Sequence, residues 1–505
     1  MVYQSARRKL VPVPSVLPME RIPDSRSGNH PSLYPIAQSA EDTVCLASRR
    51  PDIGRKPYQS FARDVGFAPV QREAGTRERR WVLLLAAFQI PGFVLGYGRP
   101  LYGSLHAMQW GSFPFTDPKH ALRHYMSLAV AYMHGSSHIN TEEALWTDEY
   151  ANDRYSESGK AHLFAQHQIL DYIETHTRRG DLQSRIAVIQ GRNDAWKSFV
   201  RGSVWSQDGD KWKFNQACES FDLLRVFFPE NTVNACGPDG WFTSTPYGPV
   251  DLLPVEAPQD VMNRYKLMLF LGWNTYDEND FRRIQKYVFD GGTLLLSAAH
   301  LNAELQPDQP TRFPENDQII RDMLGENYRS MTGKHEIPYG NGRIIYFATP
   351  DYPIASSLVS AYEETMHTLA ASSIQEEPEK GWIAASPHVG FTVWDEGNRR
   401  TLLLLNTDWK SDSDEVKAEI CYDDKKFMVP VRRYHVENIH CAAGLAVRPE
   451  ANTTDILSIQ PTSSGWDIQV QTTGDDQLQC MQAVSGQEKT ITLQGAGIHS
   501  VHIEQ

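Results

Sequence analysis

The densest group of side chains able to do acid–base chemistry is His138-Ile-Asn-Thr-Glu-Glu-Ala-Leu-Trp146. A short strand over residues 137–141 is expected to end inside this group. Side chains alternate along a strand, so His138, Asn140 and Glu142 share one face while Ile139, Thr141 and Glu143 share the other. Ile139 is the natural packer against a covering layer, which turns the polar trio inward. Glu142 is therefore the first catalytic candidate and Glu143 the second. The same parity applied to a strand over residues 102–110 puts His106, Met108 and Trp110 on one face. If the two strands are parallel neighbours, His106, Trp110, Asn140 and Glu142 meet in one pocket, with His138 and Trp146 beside it as further binding residues. That set offers a carboxylate, hydrogen-bonding groups and an aromatic platform for a sugar ring. Glycosidic bond cleavage takes two carboxylates, one as acid and one as nucleophile or base. Glu143 and Asp148 are the nearest partners. The competing reading is that Glu142 and Glu143 cap a following helix at its positive N-terminus. His138, Glu142 and His106 lack a recognised ligand spacing, so no metal is expected, and no cofactor is implied.

The elements that must position these residues alternate between strand and helix. After the strand at 102–110, Thr116-Asp-Pro118 supplies a capping side chain followed by Pro at the first helical position. Leu122, Met126, Ala129, Val130 and Met133 then recur at helical spacing, and Gly135 ends the helix. The strand at 137–141 follows, then a helix over about residues 158–175. This is the beat of an α/β barrel or an open parallel sheet.

A second α/β unit begins near Arg185. Residues 185–190 read as a buried strand followed at once by Gly191. Residues 265–271 form a continuous apolar run, as expected for a parallel strand covered on both faces. Phe281, Ile284 and Val288 mark a helix face, Gly291-Gly292 stops it, and strands follow at 293–297 and 342–347. A helix over 355–373 completes the unit. A nucleophilic cysteine on a strand-to-helix elbow is not found: neither Cys218 nor Cys236 follows a buried strand. Tyr247, Trp273, Asn274 and His300 either line the edge of a cleft or are ordinary structure. Beyond Glu377-Pro378-Glu379, short strands at 391–394, 401–405, 416–420, 465–471 and 490–493 predict a β-sandwich.

Composition narrows the partners. The chain has 505 residues and a net charge of −13, but residues 1–80 carry 14 Lys+Arg against 8 Asp+Glu, leaving −19 on the remainder. An acidic body opposes nucleic-acid binding, since a phosphate backbone wants a basic face. Residues 1–80 show neither period 2 nor period 3.6 and are expected to be irregular. Residues 1–18 lack a signal-peptide core, so a cytoplasmic location is expected. The apolar run at 81–97 is broken by Gln89 and Pro91 and reads as a strand and loop, not a membrane span. The six cysteines form no C-x-x-C pair and are expected to be buried, reduced thiols.

The order of a barrel end, a class I glutamine-amidotransferase-like domain without its cysteine, and a small β-domain resembles β-galactosidases with a trimerisation domain, and related clan-A glycoside hydrolases. The stretches that carry the resemblance are Tyr265-Lys-Leu-Met-Leu-Phe-Leu-Gly272, residues 281–292 with Thr293-Leu-Leu-Leu296, Leu402-Leu-Leu-Leu-Asn406, and residues 129–146. The resemblance implies an α/β multidomain chain: an irregular segment at 1–80, the C-terminal part of a (β/α)8 barrel at 81–180, a flavodoxin- or amidotransferase-like domain at 181–376, and a β-sandwich at 377–505. It implies hydrolysis of an oligo- or polysaccharide glycosidic bond, of β-galactosidase type, and a homo-oligomer. The rival is a non-catalytic remnant or a carbohydrate-binding and oligomerisation protein, with Trp110, Trp146 and Trp273 stacking on sugar. The chain departs from the family in two ways. The family places its nucleophilic Glu at the end of the seventh barrel strand, where residues 108–110 offer no carboxylate. Only about 95 residues precede the strand taken as seventh, whereas six β/α units take about 180. An N-terminally truncated barrel is the expectation that follows.

Overall fold

The computed structural model describes residues 43–44, 103–105, 118–135, 139–141, 147–149, 154–155, 157–194, 216–227, 245–305, 309–375, 381–383, 386, 388–408 and 411–505. Its elements form a mixed α/β architecture of several sheets.

The first described unit is a β–α–β crossover. Strand β2 (Gly103–Leu105) and strand β3 (Ile139–Thr141) run parallel on either side in sequence of helix α1 (Pro118–Met133). The register pairs Gly103 with Ile139, Ser104 with Asn140 and Leu105 with Thr141. A two-residue strand, β1 (Thr43–Val44), pairs antiparallel with the other edge of β3, giving the order β1-β3-β2. A small ribbon, β4 (Thr147–Glu149) with β5 (Arg154–Tyr155), leads into helix α2 (Glu157–Thr175).

Helix α1 starts at Pro118, where a missing N–H costs nothing, and stops at Gly135, whose φ of 89° suits a residue without a side chain. Leu122, Tyr125, Met126, Leu128, Ala129, Val130, Tyr132 and Met133 are all buried, so the helix is enclosed on most of its circumference. Its last carbonyls are satisfied from outside: Arg178 donates to the Tyr132 carbonyl at 2.7 Å and the Trp394 indole to that of Met133 at 3.1 Å. This half-buried cation also opposes the negative pole of the helix.

Next comes a six-stranded sheet built from β7 (Ile186–Gln190), β8 (Val250–Pro254), β9 (Leu267–Phe270), β10 (Thr293–Ser297), β11 (Lys334–Tyr339) and β12 (Gly342–Phe347). The order is β11-β12-β10-β9-β7-β8, parallel throughout except for the edge strand β11. Alternate residues feed two separate cores, as both covered faces require. Ile186, Val188, Leu267, Leu269, Leu295 and Ile345 pack with α1, α2 and helix α7 (Val359–Gln375). Ala187, Ile189, Met268, Phe270, Leu294 and Ile344 pack under α4 (Gln259–Met262), α5 (Glu278–Phe289) and α6 (Gln318–Leu324). Asp277 caps α5 by accepting from the Asn279 and Asp280 amides. The short helix α3 (Gln216–Glu219) runs into a 3-10 turn at Ser220–Val226. Helix α7 begins four residues later than position 355, because Tyr352 to Leu358 is spent in tight turns.

The rest of the chain is antiparallel. A seven-stranded sheet has the order β23-β22-β19-β18-β15-β14-β6. Its members are β6 (Asp181–Gln183), β14 (Val389–Asp395), β15 (Arg400–Asn406), β18 (Val436–Ala442), β19 (Leu445–Pro449), β22 (Asp476–Gln482) and β23 (Glu488–Leu493). Strand β6 immediately precedes β7 in sequence yet pairs with β14, so the chain changes sheet across Ser184 and Arg185. One face, with Phe391, Leu402, Leu404 and Ile439, packs on a three-stranded sheet of β13 (Trp382–Ile383), β16 (Glu415–Tyr422) and β17 (Lys425–Arg432). The opposite face is shared. Leu403, Leu405 and Val436 meet the helices, while Leu445, Val447 and Leu478 meet a sheet of β20 (Thr454–Pro461), β21 (Gly465–Thr472) and β24 (Gly497–Glu504). The β-layers thus form more than a two-sheet sandwich.

Candidate functional site

Of the residues that sequence pattern singles out, the structure describes the strands that would present them. Strands β2 and β3 are parallel neighbours and end flush, Leu105 opposite Thr141. His106 is the next residue after β2, and Glu142 the next after β3. Asn140 lies within β3, opposite Ser104, and Asp148 lies within β4. His106, Trp110, His138, Glu142, Glu143 and Trp146 lie outside the described residues.

The second place to seek a site is the crevice beyond the carboxyl ends of the parallel strands. Strand order reverses around β7, with β8 on one side and β9 on the other, and such reversals are where open α/β sheets bind ligands. Here the crevice is filled by the protein itself. A Cβ on Gly191 would lie 2.1 Å from the Trp273 carbonyl oxygen, and one on Gly272 would lie 2.2 Å from the Phe221 ring. Asn274 bridges the strand ends, accepting from the Arg192 amide at 2.9 Å and donating to the His300 carbonyl at 2.8 Å. His300 in turn accepts from the Ser297 amide, and burial pushes its pKa down to about 4. Arg192, at the rim, is held by Asp280 at 2.7 Å.

The buried positions at these strand ends decide between cleft edge and ordinary structure for three of the four residues. Trp273, Asn274 and His300 are 2%, 0% and 0% exposed, so they are core and not cleft edge. Trp273 stacks near Tyr352 and donates its indole N–H to Thr275 at 3.1 Å, leaving no face for a sugar. Tyr247 is half-buried, with its hydroxyl 3.1 Å from His367 Nδ1. Burial disfavours the thiolate at each of the free cysteines Cys421, Cys441 and Cys480. Burial pushes the thiols of Cys441 and Cys480 up to about 12, and both stand in β-strands of the antiparallel layers. No cluster of three or more metal-ligating side chains occurs among the described residues. No helix among them is long and apolar enough to cross a membrane.

One polar cluster went unnoticed in the sequence. Arg178 and Arg179, Tyr132, Tyr172 and His176 meet Asn438, His440 and Asp455 where the α1–α2 pair rests on the antiparallel sheet. Arg179 forms a two-point ion pair with the buried Asp455, at 2.7 and 3.0 Å. Arg178 lies over the Tyr132 ring at 4.5 Å. The only local signal was the run His176-Thr-Arg-Arg179 directly after a helix. Its partners lie some 260–280 positions downstream, beyond the reach of spacing arguments.

No protein-family model matches the chain, and no curated protein matches it. Solved structures do. A β-galactosidase from Rahnella sp. R3 superposes with a TM-score of 0.43 at 10% identity, covering 74% of this chain and 59% of its own. One from the Antarctic haloarchaeon Halorubrum lacusprofundi gives 0.42 at 12%, covering 75% and 59%. Gan42B, a GH42 β-galactosidase from G. stearothermophilus, gives 0.40 at 11%, covering 74% and 58%. The chain spans about three fifths of the length of these neighbours.

Proposed function

We propose that this is a glycoside hydrolase-like protein acting on an oligo- or polysaccharide glycosidic bond, with its chemistry beyond the carboxyl ends of β2 and β3. The observation that carries the reading is the flush parallel register of those strands, Leu105 against Thr141, with His106 and Glu142 next in sequence. Barrel active sites gather at such strand ends. The fold reading that goes with it is a barrel end, an amidotransferase-like domain and a β-layered domain. The order in which β8, β7, β9, β10 and β12 lie side by side supports the middle member, because it is the doubly wound order with the first strand second.

In this reading Glu142 supplies one carboxylate and Glu143 or Asp148 the other, one protonating the leaving oxygen while the other attacks or activates water. Asn140, His106 and His138 hydrogen-bond sugar hydroxyls, and Trp110 and Trp146 stack on the ring. The amidotransferase-like domain does no chemistry, since its strand-end crevice is filled by Trp273, Asn274 and Phe221. The substrate is a carbohydrate, and a homo-oligomer accompanies the family analogy.

The test is hydrolysis of a panel of aryl glycosides by the full chain and by its Glu142→Gln variant, with circular dichroism of both. Turnover lost in a folded variant supports the site. Turnover that survives the substitution sinks the site but not the class, and no turnover on any sugar sinks the enzyme reading.

A further inference from the structure

Strand β24 bounds one side of the sheet β20-β21-β24 and has no strand beyond it among the described residues. The Gln505 amide donates to the Ser464 carbonyl at 3.0 Å, one step past the pairing of Gly465 with Glu504. Hydrogen-bonded pairs alternate along an antiparallel ladder. Ile503, Val501 and His499 therefore turn their backbone groups to Trp466, Ile468 and Val470 of β21. The amides and carbonyls of Ile498, Ser500 and His502 point the other way, out of the sheet. The far side of β21 has the matching phase: the Thr462 amide donates to the Gly465 carbonyl at 2.8 Å, so Asp467 turns its backbone to β20.

Proteins ordinarily guard an open edge with charge, proline or a bulge. The other described edge strands longer than three residues conform. Strand β11 carries Glu336 and Pro338, β17 carries Lys426 and Pro430, and β23 opens on Glu488 and Lys489. Strand β20 has a bulge between Ile456 and Ser458, and β8 is buried from end to end. From Gly497 to Ile503, β24 carries no charged residue, no proline and no bulge. Ile498 is 70% exposed, and Ser500 and His502 are exposed beside it. The charge nearest these side chains on β21 is Asp467, which His502 Nδ1 meets at 2.7 Å within its own chain.

The strand complements itself. Laid antiparallel on a second copy about a two-fold axis at Ser500, Ile498 stands opposite the second copy's His502, and Ser500 opposite Ser500. That register uses every outward amide and carbonyl from 498 to 502, in about six hydrogen bonds. A shift of two residues one way loses a pair. The other way it brings in Glu504, whose carbonyl already accepts from Gln482 Nε2 at 2.8 Å. In a chain of net charge −13, a seam without charged side chains is where a copy meets no like charge.

We propose that β24 is a homodimer edge, pairing antiparallel with β24 of a second copy so that two three-stranded sheets become one of six strands. The family analogy is silent on where copies meet, and this seam forms whether or not the chain cleaves a glycosidic bond.

Sedimentation velocity of the full chain over a range of concentrations is expected to show a monomer–dimer equilibrium. Ser500→Lys sets two ammonium groups against each other at the axis and should weaken the dimer about fivefold. Circular dichroism should not change, because Ser500 is exposed and its backbone groups are not used inside the sheet. Gln469→Lys, on the same face one strand in, should leave the dimer as it is. Ser500→Cys reads the register. A hydrogen-bonded antiparallel pair holds its Cα atoms about 5.5 Å apart, within the span of a disulfide. Oxidation followed by peptide mapping should find Ser500→Cys chains linked through position 500, and Ile498→Cys chains not linked through 498. A chain that stays monomeric, an oligomer indifferent to Ser500→Lys, or a link through 498 would each overturn the assignment.

Discussion

Arg448 Nη1 lies 2.9 Å from Glu437 Oε2, and the two side chains are 1% and 0% exposed. The pair joins β19 to β18 inside the antiparallel layers, and it is not symmetrical. Glu437 also accepts from Arg432 at 2.7 Å, while Arg448 also reaches Glu450 at 2.7 Å and Gln479 at 3.0 Å. Removing the carboxylate leaves two guanidinium groups facing each other at a buried site. Glu437→Leu is therefore expected to destabilise the chain by about 3–5 kcal/mol. Arg448→Met should cost less, because Glu437 keeps Arg432, and the double substitution should recover part of the loss of Glu437→Leu. Guanidinium unfolding midpoints of the three variants check the order.

Gly191→Ala puts a methyl group 2.1 Å from the Trp273 carbonyl oxygen, with backbone and not a flexible side chain in the way. Overpacking of this kind costs about 1–3 kcal/mol or more. Gly474, with nothing within 4 Å of its would-be Cβ, is the control. Thermal melts should show a clear drop for Gly191→Ala and little change for Gly474→Ala.

Acid should destabilise the fold earlier than carboxylate titration alone would. Burial holds His134 and His300 near pKa 4, and burial with Arg432 and Arg448 nearby holds His435 near 3, against an ordinary value of 6.5. Above pH 6.5 both folded and unfolded chains carry these rings neutral, and stability is undiminished. Below it the unfolded chain gains protons that the folded chain refuses, so stability falls until the folded pKa is reached. For His134 and His300 the full loss is about 3 kcal/mol each, complete below about pH 4. Unfolding midpoints measured from pH 8 to pH 4 should fall steadily once the pH passes 6.5. A flat profile from 6.5 to 5 would contradict the burial of these rings.

Cys441 and Cys480 are buried, with thiols pushed up to about 12. At neutral pH their thiolate fraction is negligible. Mass-spectrometric mapping after a short maleimide exposure should find both unmodified in the folded chain and both labelled in guanidinium.

Much of the α/β part was legible because its residues obey one period. Thr293–Ser297 and Gly342–Phe347 are strands to the residue, and α1 runs from Pro118 to the turn at Gly135. Strands β18 and β19 were not read, and the reason lies in Glu437, His440 and Arg448. A strand carrying charge at buried positions shows no apolar alternation, yet all seven residues of β18 are buried. Its polar members find partners across strands, which single-chain pattern cannot see. The same applies to the candidate site. That two parallel strands flank α1 could be argued from the strand–helix–strand beat, whereas the plugging of the crevice by Trp273 and Phe221 depends on two glycines, Gly191 and Gly272, placed 81 positions apart.

The step from β6 to β7 across Ser184 and Arg185 has a practical consequence for dissecting the chain. Strand β6 covers the edge of β14, pairing Leu182 with Trp394 and Gln183 with Val393. A fragment beginning at the first residue of the parallel sheet would strip that cover and leave a seven-residue strand with an open row of backbone donors and acceptors. Exposed edges of that kind recruit other chains. Cutting between β6 and β7 would therefore yield sticky, self-associating material, while a cut upstream of Asp181 would keep the hem of the sheet intact.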